Sequence, residues 1–257
     1  MTFEMWSAGH YLFILLPFVL LVPLYLFTQT NSYETNRRIG IYIMVLAILI
    51  LFARNFEIWV RRSYRFDIEL LPLQICHFAN FVLLIGLIRN KQTWLNFALI
   101  LNLPAAMVSI IFANSLTNYS TLVSFRAFAY IMGHAILVTV PLWLFMLGFI
   151  RMDRRILKKT LSLVSILYLA SILVNNAMFF IFGQYANYFY TMKPQGGTPL
   201  ETFYEMGETL SLNGFRLNIV YVALTAMLGL TVMVLLYSAF YRLVNSKKRA
   251  RVCLANN

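Results

Sequence analysis

The sequence predicts an all-α polytopic membrane protein, a bundle of seven transmembrane helices with the N-terminus outside and the C-terminus in the cytoplasm. Hydrophobic residues make up 61% of the 257 residues, and charged residues only 12%. A soluble domain usually carries about 25% charged residues, whereas a helix needs roughly 20 apolar residues to cross a bilayer. Seven such stretches and short connections fill the chain, so we expect a single transmembrane domain over residues 1–257.

Seven apolar stretches are long enough to form the predicted spans. We place them at about 10–29, 38–56, 69–88, 94–113, 122–150, 159–182 and 215–242. The first run, from Tyr11 to Phe27, follows no charged segment and no small-residue cleavage site, so we interpret it as a retained helix and not as a signal peptide.

The orientation follows from the lysine and arginine residues of the connections. Of the 21 basic residues, 14 fall on one side of the predicted bundle and 7 on the other. The side with more basic residues is normally cytoplasmic, which places the basic tail 243–257 inside. The formal net charge of +12 does not predict a nucleic-acid partner, because these residues lie at helix ends. Membrane lipids are the expected partners and the plasma membrane is the expected location.

The longest connection, residues 183–214, is then external. Thr198, Pro199 and Glu201 form a helix-start pattern, and Asn213-Gly214 is a natural helix stop. We therefore predict an amphipathic helix at about 199–212 that lies on the outer membrane surface. A solvated loop is the alternative.

Polar side chains, which are costly inside a bilayer, concentrate in three of the predicted spans. The third span contributes Gln74, Cys76, His77 and Asn80, the fifth Arg126, Tyr130 and His134, and the sixth Ser171, Asn175 and Asn176. All three sets fall in the outer half of the membrane, which predicts one polar cavity there. The alternative is that these groups only form hydrogen bonds between helices.

Cys76 and His134 are the candidate reacting groups of this cavity. A thiol becomes a nucleophile when a neighbouring base takes its proton, and we expect His134 to lie on another helix at a similar depth. Asn80 or Asn175 could orient the imidazole or stabilise an oxyanion. This pattern favours acyl transfer through a thioester. The three histidines form no metal-ligand pattern, and we predict neither a metal nor a cofactor.

Three segments resemble a known family. They are LLPLQICHFANFVLLI in the third span, YIMGHAILV in the fifth and ANYFYTMKP after the sixth. Together they resemble the YwaF family of bacterial membrane proteins, which is related to the transmembrane protein 164 family, over roughly residues 38–240. The resemblance implies acyl transfer between phospholipids, with Cys76 and His134 as the reacting pair. It implies no role for the Asn187-Tyr188 and Lys193-Pro194 positions, where loop structuring is the simpler interpretation.

Three functions are therefore open at this point. The first is a membrane acyltransferase that binds lipid headgroups through four basic residues: Arg61, Arg62, Arg65 and Lys193. The second is a carrier or channel that uses the same cavity for a small solute or lipid without covalent chemistry. The third is a non-catalytic receptor or assembly subunit, for which the external connection would be the contact surface. The sequence does not predict an oligomeric state.

Overall fold

The computed structural model describes residues 3–113, 116 and 124–255, without the side chains of residue 69 and residues 246–255. These residues form a helical bundle and one small β-hairpin. The elements are α1 (Ala8–Thr28), α2 (Tyr33–Arg61), α3 (Ile75–Ile88), α4 (Gln92–Phe97), α5 (Leu103–Ile111), α6 (Phe125–Met146), α7 (Arg154–Phe182), α8 (Leu200–Glu205), β1 (Leu210–Leu212), β2 (Phe215–Leu217) and α9 (Ile219–Ala255).

Six helical stretches of the described chain are long and apolar enough to cross a membrane. They are α1, α2, the continuous stretch Gln92–Ile111, α6, α7 and residues 219–245 of α9. The structure therefore supports an all-α membrane protein. The orientation of the termini remains a prediction.

The third predicted span is shorter than expected. Its helix, α3, begins at Ile75 and has 14 residues, about 21 Å of length, which is less than a full crossing. Pro72 disfavours helix for the residue before it, and the Leu70 carbonyl oxygen accepts from the Asn55 side-chain amide of α2 instead of from a helical N–H. Residues 62–74 therefore approach α3 as turns, including a 3-10 turn at Ile68–Leu70.

Helix α6 lies at the centre of the bundle and packs against α1, α2, α3 and α5. Two polar side chains join it to α1. Thr139 donates to the carbonyl oxygen of Pro17 at 2.9 Å, and the Trp143 indole donates to the hydroxyl of Thr28 at 2.8 Å. These buried groups stabilise helix packing, as polar residues do in bilayers.

The stretch Gln92–Ile111 is one helix with a π turn at Ala98–Asn102 between α4 and α5. Pro104 follows this turn, and a proline lacks the N–H that would continue the α-helical pattern. The extra residue of a π turn rotates the helix that follows. Ile100 and Leu101 of this turn line an apolar cavity.

The prediction of an amphipathic helix at 199–212 is wrong for the second half of that range. Helix α8 ends at Glu205, and the chain then forms the antiparallel hairpin β1–β2. Asn213 and Gly214 form its two-residue turn with φ of 49° and 84°, the left-handed pair that Asn-Gly favours in hairpins. Thr198 does not cap α8, because the N-cap residue is Pro199 and no side chain caps the helix; the Thr198 hydroxyl donates to the Gln195 carbonyl oxygen.

Other helix bounds differ by a few residues from the predicted spans. The fifth span begins at Phe125 and ends at Met146, and residues 122–123 lie outside the described part. The sixth begins at Arg154, where the Asp153 side chain accepts from a backbone N–H of the first turn. Helix α9 starts at Ile219 and its backbone continues through the predicted tail to Ala255, but the basic tail side chains lie outside the described part.

Candidate functional site

A polar cavity of about 330 Å³ lies between α2, α3, α5 and α6, at the end of the bundle that carries residues 183–218. We call those residues the 183–218 segment. Seven of the predicted site residues line this cavity: Gln74, Cys76, His77, Asn80, Arg126, Tyr130 and His134. The third and fifth predicted spans therefore contribute polar residues to one cavity.

Cys76 is a free, partly exposed cysteine in the first turn of α3. The first hydrogen bond of this helix runs from the Phe78 N–H to the Gln74 carbonyl oxygen at 2.8 Å. The N–H groups of residues 75–77 therefore have no partner within the helix. Such an N-terminus carries a partial positive charge, which favours a thiolate and an oxyanion beside it.

Contacts with other elements fix the approach to Cys76. Asn55 of α2 donates to the Leu70 carbonyl oxygen at 2.9 Å. Arg62 forms an ion pair with the buried Asp67. The Tyr188 hydroxyl donates to the Ile68 carbonyl oxygen at 3.0 Å. These bonds hold the turn-rich residues 62–74 between α2 and the 183–218 segment, and so set the position at which α3 begins.

His134 is buried in α6 and has a defined tautomer in its neutral form. Its Nδ1 lies 2.8 Å from the Tyr130 carbonyl oxygen, one turn earlier. Because a carbonyl can only accept, the proton is on Nδ1 and Nε2 carries the lone pair. Tyr130 is itself fixed, since its hydroxyl donates to the Ser109 carbonyl oxygen of α5 at 2.8 Å.

Asn80 joins the cavity to the backbone of α3. Its amide nitrogen donates to the Cys76 carbonyl oxygen at 3.1 Å. Its Oδ1 is buried with no hydrogen-bond partner among the described residues, and the same holds for Nδ1 of His77. Buried polar atoms without partners are uncommon in proteins. Two of them beside one cavity indicate a place where a polar ligand or water can bind.

Arg54 is a cavity residue that our sequence reasoning missed. We ended the second span at residue 56 and counted Arg54 with the external arginines, but α2 continues to Arg61. Arg54 consequently lies about 10 Å inside the end of the helix and lines the cavity with Ala47 and Leu51. Ala47, Leu51 and Arg54 are four and three residues apart and so lie on one face of the helix. This spacing was the signal in the sequence. Arg126 of α6 is the second arginine of this cavity.

The 183–218 segment covers the cavity with two further residues that the sequence did not point to. Tyr190 and Gln195 both line it. Phe189 and Tyr190 have left-handed φ values of 55° and 54°, which is uncommon for residues with a side chain. Burial raises the pKa of Tyr190, so its phenol stays protonated and can donate a hydrogen bond.

The polar residues of the sixth predicted span do not line this cavity. Asn175 donates to the Tyr188 carbonyl oxygen and to the Thr191 hydroxyl, and accepts from the Tyr188 N–H. Asn176 forms a matching pair of bonds with the Arg216 backbone. Ser171 contacts Thr191. These side chains anchor the 183–218 segment on α7, so the expected role of Asn175 in orienting the imidazole does not fit its contacts.

The four predicted headgroup residues also lie away from the cavity lining. Arg61 pairs with Glu57 at 2.7 Å, and Arg62 pairs with Asp67. Arg65 is exposed. Lys193 is exposed, and its backbone N–H and carbonyl group are both bonded to the Asn187 side chain. Asn187 thus structures its loop, which accounts for the Asn187 position of the motif noted above.

A protein-family model matches most of the chain. The model of the TMEM164 family matches residues 5–237, which covers the bundle from α1 into α9 and includes every residue of the cavity. No curated protein and no solved structure matches the chain. The match confirms the relation to the transmembrane protein 164 family that the three sequence segments predicted, and this chain belongs to the TMEM164 family.

Proposed function

We propose that this protein is a membrane-embedded acyltransferase that moves acyl chains between phospholipids, with Cys76 as nucleophile and His134 as general base. One observation carries the proposal. The thiol at the start of α3 and the imidazole of α6 line the same cavity, and the His134 tautomer leaves Nε2 ready to accept a proton. A base and a nucleophile on separate helices that meet in one cavity are the basic requirement of thiol acyl transfer.

In the first half-reaction, Nε2 of His134 takes the Cys76 proton and the thiolate attacks the ester carbonyl carbon of a donor phospholipid. The tetrahedral oxyanion is stabilised by the N–H groups at the start of α3. Its collapse breaks the bond between the carbonyl carbon and the glycerol oxygen. The lysophospholipid leaves with the proton from His134, and the acyl group stays on Cys76 as a thioester.

In the second half-reaction, a lysophospholipid hydroxyl enters as the acceptor. His134 removes its proton, and the oxygen attacks the thioester carbonyl carbon. The carbon–sulfur bond breaks, the new ester leaves, and the proton returns to the Cys76 sulfur. Water competes poorly for the thioester in a site surrounded by lipid.

Arg54 and Arg126 supply the positive charge for the lipid phosphate in this proposal. Both line the cavity that holds Cys76, and guanidinium groups form strong, charge-assisted hydrogen bonds with phosphate oxygens. The partners of the protein are then membrane lipids, and its proposed location is the plasma membrane.

The test uses purified protein in proteoliposomes that contain a phospholipid with an isotope-labelled acyl chain and an unlabelled lysophospholipid. Mass spectrometry of the lipids measures label transfer. We expect transfer by the wild type and none above background with Cys76→Ala. Cys253→Ala removes the only other cysteine of the sequence and is the matched control, for which we expect full activity.

A second readout addresses the intermediate. Intact-protein mass spectrometry should detect a hydroxylamine-sensitive acyl adduct on the wild type but not on Cys76→Ala. Label transfer that persists in a folded Cys76→Ala protein contradicts the proposal. Thiol-independent movement of an intact lipid or a small solute through the same proteoliposomes would instead support the carrier or channel alternative.

A further inference from the structure

A second, larger cavity of about 640 Å³ adjoins the polar one. It lies between α5, α7, α9 and the 183–218 segment, and most of its lining side chains are aliphatic. The two cavities share four lining residues: Ser109, Phe112, Tyr190 and Gln195. The two cavities therefore meet at these residues, which include Tyr190 of the 183–218 segment.

The apolar cavity is long in the direction of the bundle axis. It is lined by α9 from Ile219 to Met233, a stretch of about 21 Å. One leaflet is about 15 Å, half of the roughly 30 Å hydrocarbon core, so the cavity is long enough to hold a whole acyl chain of a membrane lipid. Away from α9, the lining residues include Ile100 of the π turn and Val164 of α7, both far along their helices from the 183–218 segment.

The two cavities together match the two parts of a phospholipid. The polar cavity holds the thiol and two arginines, which suit an ester and a phosphate, whereas the apolar cavity has room for a chain. Tyr168 of α7 crosses toward α9 and donates to the Val222 carbonyl oxygen at 3.3 Å. This contact holds α7 and α9 at a fixed distance, so the packing of the bundle maintains the apolar cavity.

We infer that the apolar cavity binds the acyl chain that is transferred, and that its depth beside Gly229 sets the length of chain accepted. The inference rests on the proposed function, which it extends from the reacting groups to chain selection. Gly229 lines the cavity, and a Cβ built on it meets no atom within 4 Å. A larger side chain at this position would occupy the cavity instead of colliding with a neighbour.

Blocking the cavity at Gly229 removes its deepest part. The helix rises about 6 Å between Gly229 and Met233, which is room for several methylene groups. Each methylene that loses its apolar environment weakens binding about fourfold. Long chains should suffer this loss, while chains that end before Gly229 should not.

The experiment measures transfer of acyl chains of increasing length, from decanoyl to octadecanoyl, in proteoliposomes. We expect Gly229→Phe to lower the ratio of octadecanoyl to decanoyl transfer at least tenfold. Met227→Phe is the matched control, because Met227 is 65% exposed on the same helix and is not part of the cavity lining. Equal length profiles in the wild type and an active Gly229→Phe protein overturn the inference and leave the proposed function standing.

A photolabelling experiment tests acyl-chain binding in the apolar cavity without requiring catalysis. A phosphatidylethanolamine with a diazirine at the end of one acyl chain is irradiated with Cys76→Ala protein, and peptide mapping locates the label. We expect label on the cavity face of α9 and at least a fivefold loss in the double variant Cys76→Ala, Gly229→Phe. Label on Met227 at the level of the cavity residues, or no loss on blocking, overturns the inference even if the wild type transfers no acyl group.

Discussion

The Nδ1 of His134 lies 2.8 Å from the carbonyl oxygen of Tyr130, and this bond determines which imidazole nitrogen can act as a base. The carbonyl accepts the Nδ1 proton, so the lone pair is on Nε2. The same Tyr130 is bonded through its hydroxyl to Ser109 of α5. Tyr130 therefore contacts both the proposed base on α6 and the α5 wall of the cavity.

Replacing His134 tests its role as general base. We expect His134→Ala to lower kcat for acyl transfer by about 10²–10⁴-fold, the usual contribution of a general base. His77→Ala is the comparison, because His77 also lines the cavity. Its effect should be below tenfold. A larger loss with His77→Ala than with His134→Ala would identify His77 of α3 as the general base instead of His134 of α6.

Gly133 borders the polar cavity and offers a way to fill it. A Cβ at this position meets no atom within 4 Å, and alanine in place of glycine stabilises a helix by about 1 kcal/mol. We expect Gly133→Leu to reduce transfer at least tenfold without lowering the melting temperature. Gly133→Ala, which adds one methyl group, is the control and should retain most of the activity. Full activity with leucine at this position contradicts the assignment of the site.

Arg54 should contribute to phospholipid binding. A hydrogen bond to a charged group contributes about 1.5–3 kcal/mol, so we expect Arg54→Gln to raise KM about 10- to 100-fold while kcat changes less. The matched control is Arg61→Gln on the same helix, because Arg61 is largely exposed and pairs with Glu57. Its KM should stay within twofold of the wild type. A similar rise in both variants would indicate a general surface effect.

Asn175 should stabilise the fold without acting in catalysis. Removing its side chain breaks the bonds to the Tyr188 backbone and the Thr191 hydroxyl. We expect Asn175→Ala to lower the free energy of unfolding by roughly 2–3 kcal/mol and to speed proteolysis within the 183–218 segment. Gln184→Ala, at an exposed position of the same segment, should change neither. A stable Asn175→Ala protein that has lost only transfer activity would indicate that Asn175 acts in catalysis after all.

The orientation of the chain remains a prediction that a simple measurement can check. The distribution of lysine and arginine predicts the N-terminus outside and the C-terminus in the cytoplasm. A reporter that is active only in the cytoplasm should work when fused after Asn257 and fail when fused before Met1. The reverse result would place the cavity at the cytoplasmic side of the membrane and overturn the predicted topology.

Much of the architecture and part of the site followed from the sequence, for a local physical reason. A long apolar stretch favours lipid largely independently of what it packs against, so six of the seven predicted spans overlap the long apolar helices of the structure. Polar groups in such stretches are costly, which drew attention to Cys76, His77, Asn80 and His134. All four line one cavity in the structure.

The tertiary structure decided which polar groups face one another. Asn175 looked equivalent to Asn80 in the sequence, yet it bonds the 183–218 segment. Arg54 looked like a surface arginine, yet it lines the cavity beside Cys76. Both depend on how each helix is rotated about its axis and how far it extends, which packing against neighbours sets and hydrophobicity alone does not.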